Sequence, residues 1–369
     1  MKRITIDLLS INNFRNCESL KIRFHPEINV ITGLNGAGKT SILDAIFYLT
    51  NGKSYFTNLD RYIYRTDIDF FRLDGDIIIE GNLFNVQLTS SVEKKKQIKL
   101  DDKPLKLITE YFGRFPCFMI APKDIQILIE SSVERRKVID RTLSQIDKQY
   151  FIHLLNYNKL LKQRNATIKS FQKTRQINKL LLEVLDQKLL EPAQYIYNKR
   201  KEYFENIAPI FDKYYKEISE DKEQLGVNYR SNLVTESMEN LLKQSFEKDL
   251  IVGKTTEGIH KDDMVLTINN QDIKKYASQG QLKSAIISLK LSQIEWVKTC
   301  KSKIPILLLD DIFDKLDSDR VEHLLRICHN QLQSQIFITD TDADRVTNKL
   351  EKLNIDFNHY YITNGKLES

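Results

Sequence analysis

Hydrophobic positions change their spacing twice along the chain. In residues 1–90 they alternate or form short solid runs, so that Ile4–Leu9, Ser19–Phe24 and Asn29–Thr32 predict strands. Ile77–Leu83 and Asn85–Thr89 alternate as a hairpin around Phe84 and Asn85. Ser41–Leu49 carries Ile42, Leu43, Ile46 and Leu49 at three- and four-residue spacing, which predicts a helix. From Ser131 to Lys248 the pattern is long and helical, interrupted only by Pro192 and Pro209. Strand signals return at Met264–Ile268, Ile304–Leu309 and Gln335–Thr339, with helices expected at Gly280–Lys298 and Ser318–Leu332. Strand-rich ends around a helical middle predict one α/β domain built from 1–125 and 250–369, with a mostly helical lobe, 126–249, inserted between them. The stretch 276–298 is free to pack with that lobe.

The strand Asn29–Thr32 runs into Gly33-Leu34-Asn35-Gly36-Ala37-Gly38-Lys39-Thr40, and Ser41 opens the helix. This is a phosphate loop in its required strand–loop–helix setting. Glycines permit the positive φ angles that point successive N–H groups at phosphate oxygens. The helix N-terminus adds partial positive charge. Lys39 is expected on the β- and γ-phosphates and Thr40 on Mg²⁺. Arg15, at the end of the first strand, is expected to reach phosphate from the edge; a surface salt bridge is its plainer alternative.

Pro305–Leu309 is fully apolar and ends in Asp310 and Asp311, as a buried parallel strand would. Asp310 is expected to hold Mg²⁺, directly or through water, and Asp311 to polarise an attacking water. Before the helix at Leu282 stands Ser278-Gln279-Gly280-Gln281, where Ser278 reads as a helix cap. Its position ahead of the acidic strand resembles the signature loop of ATP-binding-cassette ATPases, usually Ser-Gly-Gly-Gln. In that family this loop binds the γ-phosphate held by an opposing subunit. Lys315-Leu316-Asp317 is similar to that family's D-loop.

Composition adds limits. The 369 residues carry 56 Lys+Arg against 50 Asp+Glu, a net charge of +6, which permits a polyanionic partner without demanding one. No run approaches a membrane span, and Asp7 breaks any secretory h-region, so a soluble, cytoplasmic protein is expected. Cys17, Cys117, Cys300 and Cys328 lie far apart and are expected as buried or half-buried reduced thiols. The charge is uneven. Lys148–Leu182 has no acidic residue but eight basic ones, among them Lys159, Lys162 and Arg164. Such a surface suits a DNA backbone, although taken alone it is also the pattern of a solvated helix face. His260 reads equally well as a hydrogen-bonding group at a turn.

Taken in order, Asn13-Phe14-Arg15-Asn16, Phe24-His25-Pro26, Ala121-Pro122-Lys123-Asp124, Glu134-Arg135-Arg136-Lys137, Tyr157–Asn165, Gly258–Asp263 and Ala277–Gln281 resemble the RecF family over nearly the whole chain. RecF proteins are related to the structural-maintenance-of-chromosomes proteins. The resemblance implies a P-loop ATP-binding-cassette-type α/β head (lobe I) with an inserted, mostly α-helical lobe II and short arm. It implies ATP with Mg²⁺ as cofactors, an ATP-dependent homodimer, weak ATP hydrolysis used as a switch, and gapped or duplex DNA as partner. Action with RecO and RecR at single-strand gaps, where recombinase is loaded, follows from it too, with no membrane involved. Three departures stand out. Asp311 stands where most cassette ATPases carry Glu, which fits slow hydrolysis. Lys261 replaces an Arg more often seen after His260. Thr339-Asp340-Thr341 occupies the place of the γ-phosphate-sensing His of transporter-type cassettes, so no His switch is expected. A transporter motor and a nuclease-linked ATPase are the alternative readings; the basic arm speaks against the first.

Overall fold

The computed structural model describes residues 1–368 except 58, 66, 95, 175–177, 220–222 and 314–317; the side chains of 173, 174, 318 and 319 also lie outside it. The chain divides into two compact units, Met1–Asp124 with Lys290–Ser369, and Ile125–Leu289.

The first unit is built on two sheets. In chain order its strands are β1 (Lys2–Phe14), β2 (Cys17–Arg23), β3 (Ile28–Thr32), β4 (Phe70–Ile79), β5 (Asn82–Ser91), β6 (Gln97–Leu100), β7 (Lys103–Pro104) and β8 (Cys117–Ile120). Among them lies helix α1 (Lys39–Asn51). The second unit begins with helices α2 (Ile125–Ile129), α3 (Ser132–Ile146), α4 (Lys148–Thr174) and α5 (Lys179–Ser219). Strand β9 (Leu225–Arg230), helix α6 (Met238–Val252), strands β10 (Asp263–Ile268) and β11 (Gln271–Asp272), and helix α7 (Ile273–Tyr276) complete most of it. The boundary falls inside helix α8 (Gln279–Lys301). The first unit then resumes with β12 (Lys303–Ile304), β13 (Ile306–Asp310), α9 (Ser318–Arg326), β14 (Ile336–Asp340), α10 (Ala343–Lys352), β15 (Phe357–Thr363) and β16 (Lys366–Leu367).

One sheet has the order β16-β15-β3-β14-β13-β8, parallel except for β16. Strands β3, β8, β13 and β14 are buried along their whole length. That explains their unbroken apolar runs, since a parallel sheet covered on both faces has no side for polar residues. Leu307, Leu308 and Leu309 are each 0% exposed, and burying each is worth roughly 1.5–3 kcal/mol. The second sheet, β12-β1-β4-β5-β6-β7 with β2 on β1, is mostly antiparallel and alternates buried with exposed positions. Phe14, Tyr48 and Phe71 meet edge to face between this sheet and α1, with centroids 5.1–5.8 Å apart.

Several expectations need correction. The hairpin turns at Glu80 and Gly81, not at Phe84 and Asn85, because Ile79 pairs with Asn82. Both turn residues have positive φ, 49° and 78°, as a two-residue hairpin loop requires. Helix α5 continues past Pro192 and Pro209 instead of ending at them. The return to the first unit comes at Lys290 rather than 250, because β10 pairs with β9 and β11 inside the second unit. The expected helix Ser318–Leu332 is α-helical to Arg326 and then widens to a π-helical turn, Ile327–Leu332. Cys17, Cys117 and Cys328 are buried, but Cys300 is exposed. Among the described residues no helix is long and apolar enough to cross a membrane.

Candidate nucleotide site and basic helix face

Strand β3 delivers the chain at Thr32 into the loop Gly33–Gly38, and α1 starts at Lys39. Gly33, Gly36 and Gly38 have φ of 149°, 82° and 112°, a region that side-chain-bearing residues avoid. A Cβ on Gly33 would also run into the carbonyl oxygen of Ile362. Among the described residues no side chain caps α1, and its first turn holds no acidic residue. Its first-turn N–H groups are therefore left for an anion. Lys39 is 7% exposed, and its ammonium arches back over the loop. It donates to the Gly33 carbonyl at 2.7 Å and the Leu34 carbonyl at 3.1 Å. Burial lowers its pKa, while Asp311, Asp310 and Asp340 act the other way.

The acidic end of β13 faces this loop. The Thr40 hydroxyl donates to Asp310 Oδ1 at 2.9 Å, and the Thr339 hydroxyl donates to the same oxygen at 2.9 Å. Burial raises the Asp310 pKa against these two hydrogen bonds. Asp311 sits at φ 48°, with its N–H bonded to the Thr339 hydroxyl at 3.0 Å. Among the described residues its buried Oδ1 has no hydrogen-bond partner. A cavity of about 340 Å³ opens here, lined by Asn35, Gly36, Gly38, Lys39, Thr40 and Ser41 of the loop and by Arg15, Asn16 and Asp311 from outside it. The Thr40 hydroxyl, the Asp310 carboxylate and the orphaned Asp311 oxygen form a hard oxygen donor set, which fits Mg²⁺ and its water.

Arg15 lines the cavity, but its guanidinium is engaged. It bonds Asp44 Oδ2 at 2.7 and 2.9 Å and rests over the Phe56 ring at 5.3 Å. Asp44 is wholly buried and also accepts from the Ser54 hydroxyl and the Tyr55 N–H. Asn16 and Asp340 were not expected as site residues. Asp340 ends β14 and is 0% exposed; its Oδ1 accepts from the Asp342 N–H, and its Oδ2 has no partner among the described residues. The clue available in the sequence was its place at the end of a second apolar strand.

The loop Ser278–Gln281 belongs to the second unit. The Ser278 N–H donates to Gln281 Oε1 at 2.6 Å, and the Gln281 N–H to Ser278 Oγ at 3.3 Å, a reciprocal capping box. Ser278 is exposed, and among the described residues its Oγ only accepts, which leaves its hydroxyl proton for an incoming anion. Gln281 Nε2 is in turn held by Glu223 Oε1 at 2.9 Å. Gln279 and Gly280 start α8. Lys315-Leu316-Asp317 lies outside the described residues.

Helix α4 divides the basic candidates. Arg164 is 0% exposed and is not a DNA contact. It bonds Asp186 at 2.6 Å, Asp249 at 2.6 Å and the Thr255 hydroxyl at 2.9 Å. Neighbouring Asn165 accepts from the Thr255 N–H at 2.8 Å. Tyr157 donates to His260 Nδ1 at 2.8 Å, and His260 Nε2 meets the Thr255 carbonyl at 3.1 Å. Thr255 offers only an acceptor there, so His260 carries its proton on Nε2. The turn role of His260 is the one realised. Lys159 and Lys162 are exposed, as are Lys148 and Lys169. At 100° per residue these four fall within an arc of about 80° on α4.

Comparison with known proteins fits this geometry. The RecF/RecN/SMC N terminal domain family matches residues 5–363. A DNA replication and repair protein RecF from Cytophaga hutchinsonii is 38% identical over 98% of this chain and 96% of its own length. One from Bacteroides thetaiotaomicron is 36% identical over 97% and 96%. A solved structure of the recombination mediator protein RecF with ATP in the RecFOR pathway superposes with a TM-score of 0.89 at 31% identity, covering 99% of this chain and 97% of that one. The Smc head domain from Pyrococcus furiosus shares the fold at a TM-score of 0.57 and 14% identity. The fold is that of ATP-binding-cassette-type heads, and the chain belongs to the RecF family.

Proposed function

We propose that this protein is an ATP-driven, DNA-binding switch of recombination repair. The observation that carries the reading is the convergence of Lys39, Thr40 and Asp311 on one cavity at a helix N-terminus, with Asp310 bonded to the Thr40 hydroxyl. Lys39 and the loop N–H groups bind the β- and γ-phosphates of ATP. Thr40 and Asp310 would hold Mg²⁺, which when bound supplies charge neutralisation to the triphosphate. Asp311 accepts a hydrogen bond from the attacking water through its unpartnered Oδ1. Its short side chain and its tethered backbone keep hydrolysis slow.

The sequence has one phosphate loop and one Ser278–Gln281 loop. Both are used when two copies meet across two nucleotides, with the Ser278 hydroxyl donating to the partner's γ-phosphate. ATP thus closes a homodimer and hydrolysis reopens it. The lysine stripe on α4 supports DNA binding, and the relatives' names as repair proteins and recombination mediators support action at single-strand gaps with RecO and RecR. The test is a salt titration of binding to gapped and plain duplex DNA, with and without ATP, beside Lys39→Met. ATP should strengthen binding to wild type only, with a preference for the gap. DNA affinity indifferent to ATP would sink the reading.

A further inference from the structure

Two segments from opposite ends of the sequence grip the phosphate loop from outside. The first is the turn after β1. Asn16 Nδ2 donates to the Gly36 carbonyl at 3.0 Å, and Asn16 Oδ1 accepts from the Ser41 hydroxyl at 2.6 Å. The second is the turn between β15 and β16, where the Gly365 N–H donates to the Ala37 carbonyl at 2.7 Å. The two segments also press on each other. Gly365 has φ 75°, and a Cβ there would lie 2.7 Å from the Asn16 carbonyl oxygen and 3.1 Å from Cys17 Cα. Gly38, between them, would bring a Cβ within 3.3 Å of both the Asn16 side chain and Gly365.

We propose that Asn16 and Gly365 are positioning residues of the nucleotide site, and that the C-terminal turn is a working part of it. They fix two consecutive carbonyls, those of Gly36 and Ala37. A peptide unit is planar and trans, so drawing the Ala37 carbonyl toward Gly365 turns the Gly38 N–H the opposite way, toward the cavity that Gly38 lines. Left alone, a loop with three glycines in six positions would sample many conformations. Ordering it on binding would then weaken affinity, whereas a loop held in place beforehand avoids that loss. Only glycine fits at 365, since any side chain would push the turn off Asn16. Asn16 is suited because one amide both donates to a carbonyl and accepts from a hydroxyl.

The inference deepens the ATP-binding reading and rests on it. It is tested on the full chain by titrating a fluorescent ATP analogue with Mg²⁺ and by melting the nucleotide-free protein. Asn16→Ala and Gly365→Ala should each weaken binding about tenfold, the worth of one well-made hydrogen bond. Asn16→Ala should melt with wild type. Asn16→Gln, whose longer amide still reaches the Gly36 carbonyl, should recover part of the loss. Gly365→Ala carries backbone strain, so Asn16→Ala decides if that variant folds poorly. Asn16→Ala binding within about twofold of wild type, while Lys39→Met does not bind, overturns the inference and leaves the ATP reading standing. A loss of affinity that tracks a loss of melting temperature in Asn16→Ala also overturns it. Wild type that binds no nucleotide overturns both.

Discussion

Arg164 and Lys159 stand five positions apart on one helix and have opposite fates. Arg164 is sealed between Asp186 and Asp249, and Lys159 lies in solvent. Removing Arg164 would strand the Asp249 carboxylate, which is 1% exposed. Arg164→Ala is therefore expected to cost about 3–5 kcal/mol of stability, read by chemical denaturation. The double change Lys159→Glu and Lys162→Glu should leave stability untouched. It should instead weaken DNA binding and lower the slope of log affinity against log salt by about two. If the lysine pair changes melting but not DNA affinity, the assignment is reversed. The sequence could not make this distinction, because all eight basic residues look alike until their carboxylate partners, distant along the chain, are known. The phosphate loop was legible for the opposite reason: its chemistry is set by adjacent residues. Asn16 and Glu223 act across long sequence distances and left no local signal of their role, although Asn16 sits beside Arg15 in a run that already marked the family; Asp340 was marked only by its place at the end of an apolar strand.

Among the elements, α4 explains the motif Tyr157–Asn165. Tyr157, Arg164 and Asn165 turn inward, where Tyr157 holds His260, and Arg164 and Asn165 hold Thr255. Burial lowers the His260 pKa to about 4, with Lys261 and Arg136 pushing the same way and the Thr255 carbonyl and Asp249 opposing. The unfolded chain would take up that proton near pH 6.5. Between about pH 6.5 and 4 the unfolded state thus binds more protons, so stability is full above this window and falls as pH falls through it. His260→Asn should flatten that dependence in denaturation measured from about pH 7 to 4.5. An unchanged slope would show that His260 titrates freely. Strands β3, β13 and β14 were readable because full burial demands unbroken apolar runs. The β4–β5 turn was not, because the alternation continues past it and only the backbone of Glu80 and Gly81 marks the reversal.

At the level of the whole molecule, the modest net charge of +6 conceals a strongly basic helix face offset by carboxylates elsewhere. The two-part organisation follows from the change in hydrophobic period. The return point at Lys290 does not, because a strand such as β10 reads the same whichever sheet it joins. This places the Ser278 loop in one compact unit and the phosphate loop in the other, and the proposed dimer makes each nucleotide depend on both. Sedimentation velocity with and without ATP and Mg²⁺ tests that dependence most directly, on wild type, Lys39→Met and Ser278→Asp. Aspartate caps a helix as well as serine, so Ser278→Asp keeps α8 intact while repelling phosphate. Wild type is expected to shift from monomer to dimer on ATP, and both variants to remain monomeric. A Ser278→Asp protein that dimerises on ATP as fully as wild type would contradict the shared site.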